Sequence, residues 1–123
     1  MKIAISSTGR NLESEIDPRF GRCAYFLIVE VENKKIKKTK VIKNTAKAQA
    51  GGAGISAGEI IANQEVDAVI TTNLGPRAFD VFSQFGIKVY SGKGKIKEVL
   101  EKVIKGNLKE LSNPTGPQHT GLK

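Results

Sequence analysis

The hydrophobic pattern of this chain changes its period partway along, and this change restricts the fold more than any other feature. Apolar and polar residues alternate with a period of two in the first part, which predicts strands at Lys2–Ser6, Tyr25–Glu32 and Lys35–Lys43. From residue 51 onward, helical spacing alternates with short continuous apolar runs. A hairpin followed by strand–helix alternation indicates a sheet with helices packed on its faces.

The second part of the chain supplies the remaining elements. Helices are predicted at about 52–64, 76–85 and 96–105, and strands at 67–72 and 87–90. The middle helix should carry an apolar face made of Ala78, Phe79, Phe82 and Phe85. Right-handed crossovers would make the first, fourth and fifth strands parallel. We therefore expect an α/β fold with three α/β/α layers around a mixed five-stranded sheet.

The boundaries of the domain follow from the same pattern. The chain has 123 residues, a length that fits one domain. We place this domain at residues 1–111. Residues 112–123 contain two prolines, two glycines and almost nothing apolar. We expect this stretch to be a flexible C-terminal tail.

The formal net charge of +8 is the first functional clue. Lysine supplies 16 of the 20 basic residues, and residues 33–47 carry seven lysines and no acid. Lysines concentrated on one strand are typical of an edge strand protected against aggregation. A nucleic-acid-binding module using this hairpin is an alternative, but the hairpin lacks the interleaved exposed aromatic residues that stack on bases.

The composition also limits the class of protein. A single cysteine, Cys23, excludes an internal disulfide and cannot by itself build a structural zinc site. No apolar run approaches the roughly 20 residues that cross a bilayer. We therefore expect a soluble cytoplasmic protein without a membrane partner.

Loops at one edge of the predicted sheet favour an anion site. In open α/β sheets, ligands bind beyond the carboxyl ends of the strands, where strand order reverses. Glycine-rich turns and helix N-termini at such an edge present free N–H groups. We expect four segments to converge there, namely residues 6–10, 51–54, 71–77 and 91–95.

The chain lacks the patterns of common catalytic sites. It contains no phosphate-binding P-loop, and its aspartates are too dispersed for two-metal nuclease chemistry. No Ser–His–acid or Cys–His pair is evident. These observations favour a binding protein that is not an enzyme.

One stretch resembles a known family. Residues 16–26 read Ile-Asp-Pro-Arg-Phe-Gly-Arg-Cys-Ala-Tyr-Phe, and they resemble the dinitrogenase iron–molybdenum cofactor biosynthesis family. Residues 1–6, 52–54, 67–70 and 73–76 also match in order and spacing. The resemblance implies a ribonuclease H-like fold without the nuclease carboxylates. It also implies binding of an iron–sulfur or iron–molybdenum cluster or its precursor.

The resemblance, the loops at the sheet edge and the ligand chemistry of cysteine and histidine together give a set of candidate site residues. The candidate cofactor-binding residues are Arg10, Arg19, Arg22, Cys23, Gly52, Gly54, Asn73 and Arg77. Cys23 and His119 are the candidate metal ligands. The implied partner is a protein that donates or accepts a metal–sulfur cluster. A small phosphate- or nucleotide-binding regulator stays open as a second alternative, beside the nucleic-acid module.

Overall fold

The computed structural model describes residues 1–108 and 110–114. Within them, five strands form one sheet: β1 (Lys2–Ser7), β2 (Tyr25–Glu32), β3 (Lys35–Lys43), β4 (Ala68–Thr71) and β5 (Lys88–Ser91). Three helices accompany the sheet: α1 (Ala53–Ala62), α2 (Pro76–Gln84) and α3 (Ile96–Ile104). A short 3-10 turn spans Phe20–Arg22.

The strand order is β3-β2-β1-β4-β5. Strand β2 is antiparallel to both of its neighbours, whereas β4 is parallel to β1 and to β5. The chain moves outward from β1 to one edge and then crosses through α1 to the other side of β1. This arrangement confirms the mixed five-stranded, ribonuclease H-like α/β fold. The chain adds β2 and β3 on one side of β1 and β4 and β5 on the other, so the strand order reverses between β1 and β4.

A two-residue turn fixes the register of the β2–β3 hairpin. Asn33 and Lys34 have positive φ angles of 53° and 63°, and the flanking residues Glu32 and Lys35 pair across the hairpin. Two consecutive positive φ angles match the twist of the adjoining strands. Strand β3 is the first strand in the order of the sheet, so it lies at an edge, and its lysines are exposed.

The sheet separates two apolar clusters. Helices α1 and α2 cover one face, where Phe82 packs with Phe20 and Phe26. Helix α3 covers the opposite face, where Leu100 belongs to the same cluster as Leu27. These two clusters produce the three α/β/α layers.

The end of α2 differs from the expectation. Phe85 was predicted on the apolar face of this helix, but 64% of the residue is exposed. The reason is that α2 ends at Gln84, so Phe85 falls on the turn that leads to β5. Its neighbour in the pattern, Phe82, is fully buried as predicted.

The helices in the described part of the chain are short. The longest helix in the described part of the chain has 10 residues, and no helix there is long and apolar enough to cross a bilayer.

Of the predicted tail, only residues 112–114 lie among the described residues. Just before them, the Leu111 amide donates to the Val89 carbonyl at 2.7 Å.

Candidate functional site

A cavity of about 810 Å³ lies at the switch between β1 and β4. Its wall is made of Pro18–Arg22, Gly52–Ile55 and Asn73–Ala78. The first segment lies between β1 and β2, the second forms the start of α1, and the third leads from β4 into the first turn of α2. The volume falls within the range of small-molecule and cofactor sites, about 300–1,000 Å³. We call this space the switch-point cavity.

Two helix N-termini open into the switch-point cavity. Helix α1 begins after Gly52, whose φ is 70°, and α2 begins after Gly75; neither cap residue supplies a side-chain hydrogen bond. The amides of Ser56 and Phe79 bond back to the cap carbonyls at 3.0 Å. Pro76 has no N–H, and the amides of residues 53–55 and 77–78 have no partner within their helices. They are therefore available to an anion.

The first arginine of the cavity, Arg19, is fixed by a buried carboxylate. Asp17 is 2% exposed and accepts hydrogen bonds from Arg19 Nε and Nη2 at 3.2 Å and from the Arg19 amide at 2.9 Å. These hydrogen bonds, and then the negative charge of Asp17, raise the pKa of Arg19. The Arg19 side chain is nevertheless 69% exposed. Asp17 therefore orients a guanidinium that a ligand can still reach.

The other two arginines have no carboxylate partner in the described part of the chain. Arg22 donates from Nη1 to the backbone oxygens of Lys47 at 2.7 Å and Gln49 at 2.6 Å. Arg77 is exposed on the first turn of α2. The wall contains no acidic residue, so the cavity is electropositive.

A buried hydroxyl pair lies at the ends of β1 and β4. The Oγ of Ser6 is 2.8 Å from the Oγ1 of Thr71 and donates to the backbone oxygen of Asp17 at 2.8 Å. Arg19 also forms an isolated parallel bridge with Asn73. These bonds hold the segment carrying Arg19 against the loop after β4, and so they set the shape of the cavity.

Six of the eight predicted cofactor-binding residues line this cavity: Arg19, Arg22, Gly52, Gly54, Asn73 and Arg77. Arg10 does not, because its guanidinium lies over the ring of Tyr25, 5.6 Å from the centroid. His119 lies outside the described residues.

Cys23 is separated from the cavity. It is fully buried in the core cluster with Phe20, and its Sγ donates to the Phe20 carbonyl at 3.3 Å. Burial raises the pKa of its thiol to about 12. At neutral pH the side chain is therefore a protonated thiol facing the core, which disfavours a role as a metal ligand. In the described residues, no group of three or more His, Cys, Asp or Glu side chains could hold a metal ion.

Two of the four segments expected at this rim do not reach the cavity. Residues 91–95 pack against the loop that follows β1: Ile16 donates to the Gly94 carbonyl at 2.9 Å, and Ile96 donates to the Ser14 carbonyl at 3.0 Å. The loop of residues 6–10 turns into the same layer, since Thr8 bonds to the Glu15 carbonyl at 3.0 Å. Both segments are thus engaged on the α3 side of the sheet.

The sequence reasoning missed the apolar part of the wall and the role of Asp17. Phe20, Ile55 and Leu74 line the cavity beside the arginines. Asp17 was not among the predicted site residues, although it lies two residues before Arg19. An acid two residues before an arginine, next to a proline, was the available signal for a local ion pair.

Comparisons with known proteins agree with this fold. The sequence profile of the family described as "Dinitrogenase iron-molybdenum cofactor" matches residues 1–106. The uncharacterised protein MJ0580 of Methanocaldococcus jannaschii is 40% identical over 112 residues, which cover 90% of this chain and 92% of that protein.

Solved structures extend the likeness to three dimensions. The apo form of the orange protein from Desulfovibrio gigas is 27% identical, with a TM-score of 0.87 over 94% of this chain and 96% of that one. The crystal structure of MJ0327 from Methanocaldococcus jannaschii is 30% identical, with a TM-score of 0.72 over 93% and 97% of the two chains. This chain belongs to the dinitrogenase iron–molybdenum cofactor family.

Proposed function

We propose that this protein is a non-enzymatic carrier that holds an anionic metal–sulfur cluster, or a precursor of one, in the switch-point cavity. The observation that carries the proposal is the convergence of three arginines and two uncapped helix N-termini on a wall without any acidic residue. Such a wall favours a compact anion. The family to which the chain belongs directs the choice toward metal–sulfur cargo.

The wall favours binding of a preassembled cluster over assembly on the protein. Among its residues there is no thiol, imidazole or carboxylate side chain that could bond to a metal. Guanidinium and amide N–H groups can instead donate hydrogen bonds to the sulfides of a cluster that already has its own coordination. Cys23 stands outside this set because its thiol is buried and protonated. The cargo would therefore be held by charge and hydrogen bonds, which also allows its release.

The apolar portion of the wall bears on which anion fits. Phe20, Leu74 and Ile55 supply surface that cannot hydrogen-bond to a ligand. A small oxyanion such as phosphate or molybdate would lose water there without replacement, which is costly. A sulfur-rich anion loses less hydration free energy, because sulfur accepts hydrogen bonds from water only weakly. The cavity is therefore expected to prefer sulfide over oxide ligands at equal charge.

An anaerobic titration tests the proposal. Tetrathiomolybdate and molybdate have the same tetrahedral shape and charge, but tetrathiomolybdate carries sulfide in place of oxide and is larger. We expect saturable binding of tetrathiomolybdate, followed by visible absorption and metal analysis, and weaker binding of molybdate. Reconstitution with iron and sulfide checks for an iron–sulfur cargo by the same readouts.

Variants and a third anion complete the design. Arg22→Ala should weaken binding, whereas Cys23→Ala should leave it unchanged. If neither tetrathiomolybdate nor reconstituted iron binds, the carrier function is wrong. If phosphate or molybdate binds as tightly as tetrathiomolybdate, the site is instead that of a phosphate- or nucleotide-binding regulator.

A further inference from the structure

Arg22 belongs to the wall of the switch-point cavity and also holds the segment that joins β3 to α1. We call residues 45–51 of this segment the strap. The two hydrogens of Arg22 Nη1 are directed to the carbonyls of Lys47, at 2.7 Å, and Gln49, at 2.6 Å. In the described residues, Nε and Nη2 of Arg22 make no hydrogen bond. One guanidinium therefore contacts the strap and retains free donors at the cavity.

The strap depends on Arg22 for its attachment. Its start is anchored, since Asn44 Nδ2 donates to the Cys23 carbonyl at 2.9 Å and Ala46 is buried. Beyond Ala46, every strap residue is exposed, and the remaining bonds are local, such as the one from Gln49 Nε2 to the Gly51 carbonyl at 2.7 Å. Among the described residues, the hydrogen bonds that join the middle of the strap to another part of the protein come from Arg22.

We infer that Arg22 couples occupancy of the cavity to order in the strap, so that the loaded protein presents a different surface from the empty one. This inference rests on the proposed function. A guanidinium is a rigid planar fork. When carbonyls fix one side of it, an anion that bonds to Nε and Nη2 does so at a lower entropic cost. Coupling of this kind is reciprocal, so the anion in turn orders the strap.

The consequence concerns the partner of the carrier. The strap is an exposed surface next to the cavity, and its order reports whether the cavity is filled. A protein that receives the cargo can recognise the ordered strap, and one that delivers the cargo can recognise the loose strap. Arg22 thus acts as a positioning residue for the strap in addition to contacting the ligand.

Hydrogen exchange measured by mass spectrometry tests the attachment without any ligand. In Arg22→Gln, which removes the charge and keeps a similar length, the hydrogen-bonded strap amides of Ala46, Lys47 and Gln49 should exchange about tenfold faster than in the wild type. Arg77→Gln is the matched control, because Arg77 lines the same cavity and makes no bond to the strap; strap exchange should not change. Unchanged exchange in Arg22→Gln would overturn the inference, whatever the cavity binds.

The coupling is tested with tetrathiomolybdate as the probe. At saturation, wild-type strap amides should exchange about tenfold more slowly, together with the first-turn amides of α1 and α2. Arg22→Lys keeps the charge but lacks the fork; it should bind the probe and lose most of the strap protection. Arg77→Lys should bind more weakly and keep that protection at saturation.

The two claims fail in different ways. Protection of the helix amides without protection of the strap would contradict the coupling and leave the proposed function standing. Protection of the strap that is equal in the wild type and in Arg22→Lys would contradict the role of the fork. Absence of protection at both places would contradict the proposed function and the coupling together.

Discussion

Gly21 lies so close to Gly54 that a Cβ atom on Gly21 would be 2.8 Å from the backbone nitrogen of Gly54. A Cβ atom on Gly54 would instead meet no heavy atom within 4 Å. Both glycines line the switch-point cavity. Gly21 is thus required for the close contact between the 3-10 turn and α1, whereas Gly54 borders open space.

Alanine at these two positions should have opposite effects on stability. Gly21→Ala forces a side chain against backbone atoms and should lower the free energy of unfolding by about 1–3 kcal/mol. Gly54→Ala adds a better helix former without a clash and should be neutral or stabilising, by up to about 1 kcal/mol. Urea denaturation of the two variants measures the difference. Equal effects would show that the turn does not pack on α1 as described.

Asp17 should matter for both stability and binding. Asp17→Asn replaces a buried acceptor by an amide that presents N–H groups to the guanidinium of Arg19. We expect a loss of about 1–3 kcal/mol in the free energy of unfolding, and weaker tetrathiomolybdate binding because Arg19 is no longer oriented. Asp80→Asn, on the exposed side of α2, is the control and should change stability by less than about 0.5 kcal/mol. Unaltered affinity in Asp17→Asn would remove Arg19 from the site.

Much of the fold could be predicted because hydrophobic period depends on local sequence. The hairpin from Tyr25 to Lys43 has the predicted bounds, since alternation and the Asn33–Lys34 turn act over a few residues. The partners of loops depend instead on tertiary contacts. Residues 91–95 were expected at the cavity, yet a hydrogen bond between Ile16 and Gly94 draws them to the α3 layer. No local pattern encodes that contact.

The same distinction applies to the candidate site. Glycines before helices and arginines in a matched segment are visible in the sequence, so Gly52 and Arg19 could be named. Burial is not visible in the same way. Cys23 looked like a ligand in an arginine-rich segment, but its burial depends on Phe20 and the core cluster assembled from distant parts of the chain.

Stability at high pH should depend on Cys23. Burial raises the pKa of its thiol from 9.0 to about 12. Between these values the unfolded chain loses a proton that the folded protein keeps, so the free energy of unfolding falls as pH rises, by up to about 1.4 kcal/mol per pH unit. Below pH 9 this contribution is fully present.

Urea denaturation between pH 9 and 11 measures this effect. Cys23→Ala should show a shallower decline than the wild type, because the lysines and tyrosines that also titrate there are common to both proteins. Parallel curves would mean that the thiol ionises as readily in the folded protein as in the unfolded chain. That result would restore Cys23 as a candidate ligand.

The charge of the cavity, and not that of the whole protein, should govern binding. Arg77→Gln should weaken tetrathiomolybdate binding by about tenfold or more, since it removes a charge-assisted hydrogen bond. Lys88→Gln removes the same charge from an exposed residue at the start of β5, outside the cavity wall. We expect this variant to change the affinity by less than about twofold. Equal losses measured by absorption titration would indicate a nonspecific attraction to the basic protein.

Filling the cavity through Gly54 tests whether the cargo binds in the switch-point cavity. Gly54→Leu extends a side chain from the first turn of α1 into the switch-point cavity, whereas Gly51→Leu places the same side chain at an exposed residue outside the wall, where a Cβ atom also meets nothing within 4 Å. Both variants should fold. In an anaerobic titration with tetrathiomolybdate, we expect Gly51→Leu to bind like the wild type and Gly54→Leu not to bind. Wild-type binding by Gly54→Leu would mean that the cargo lies outside this cavity.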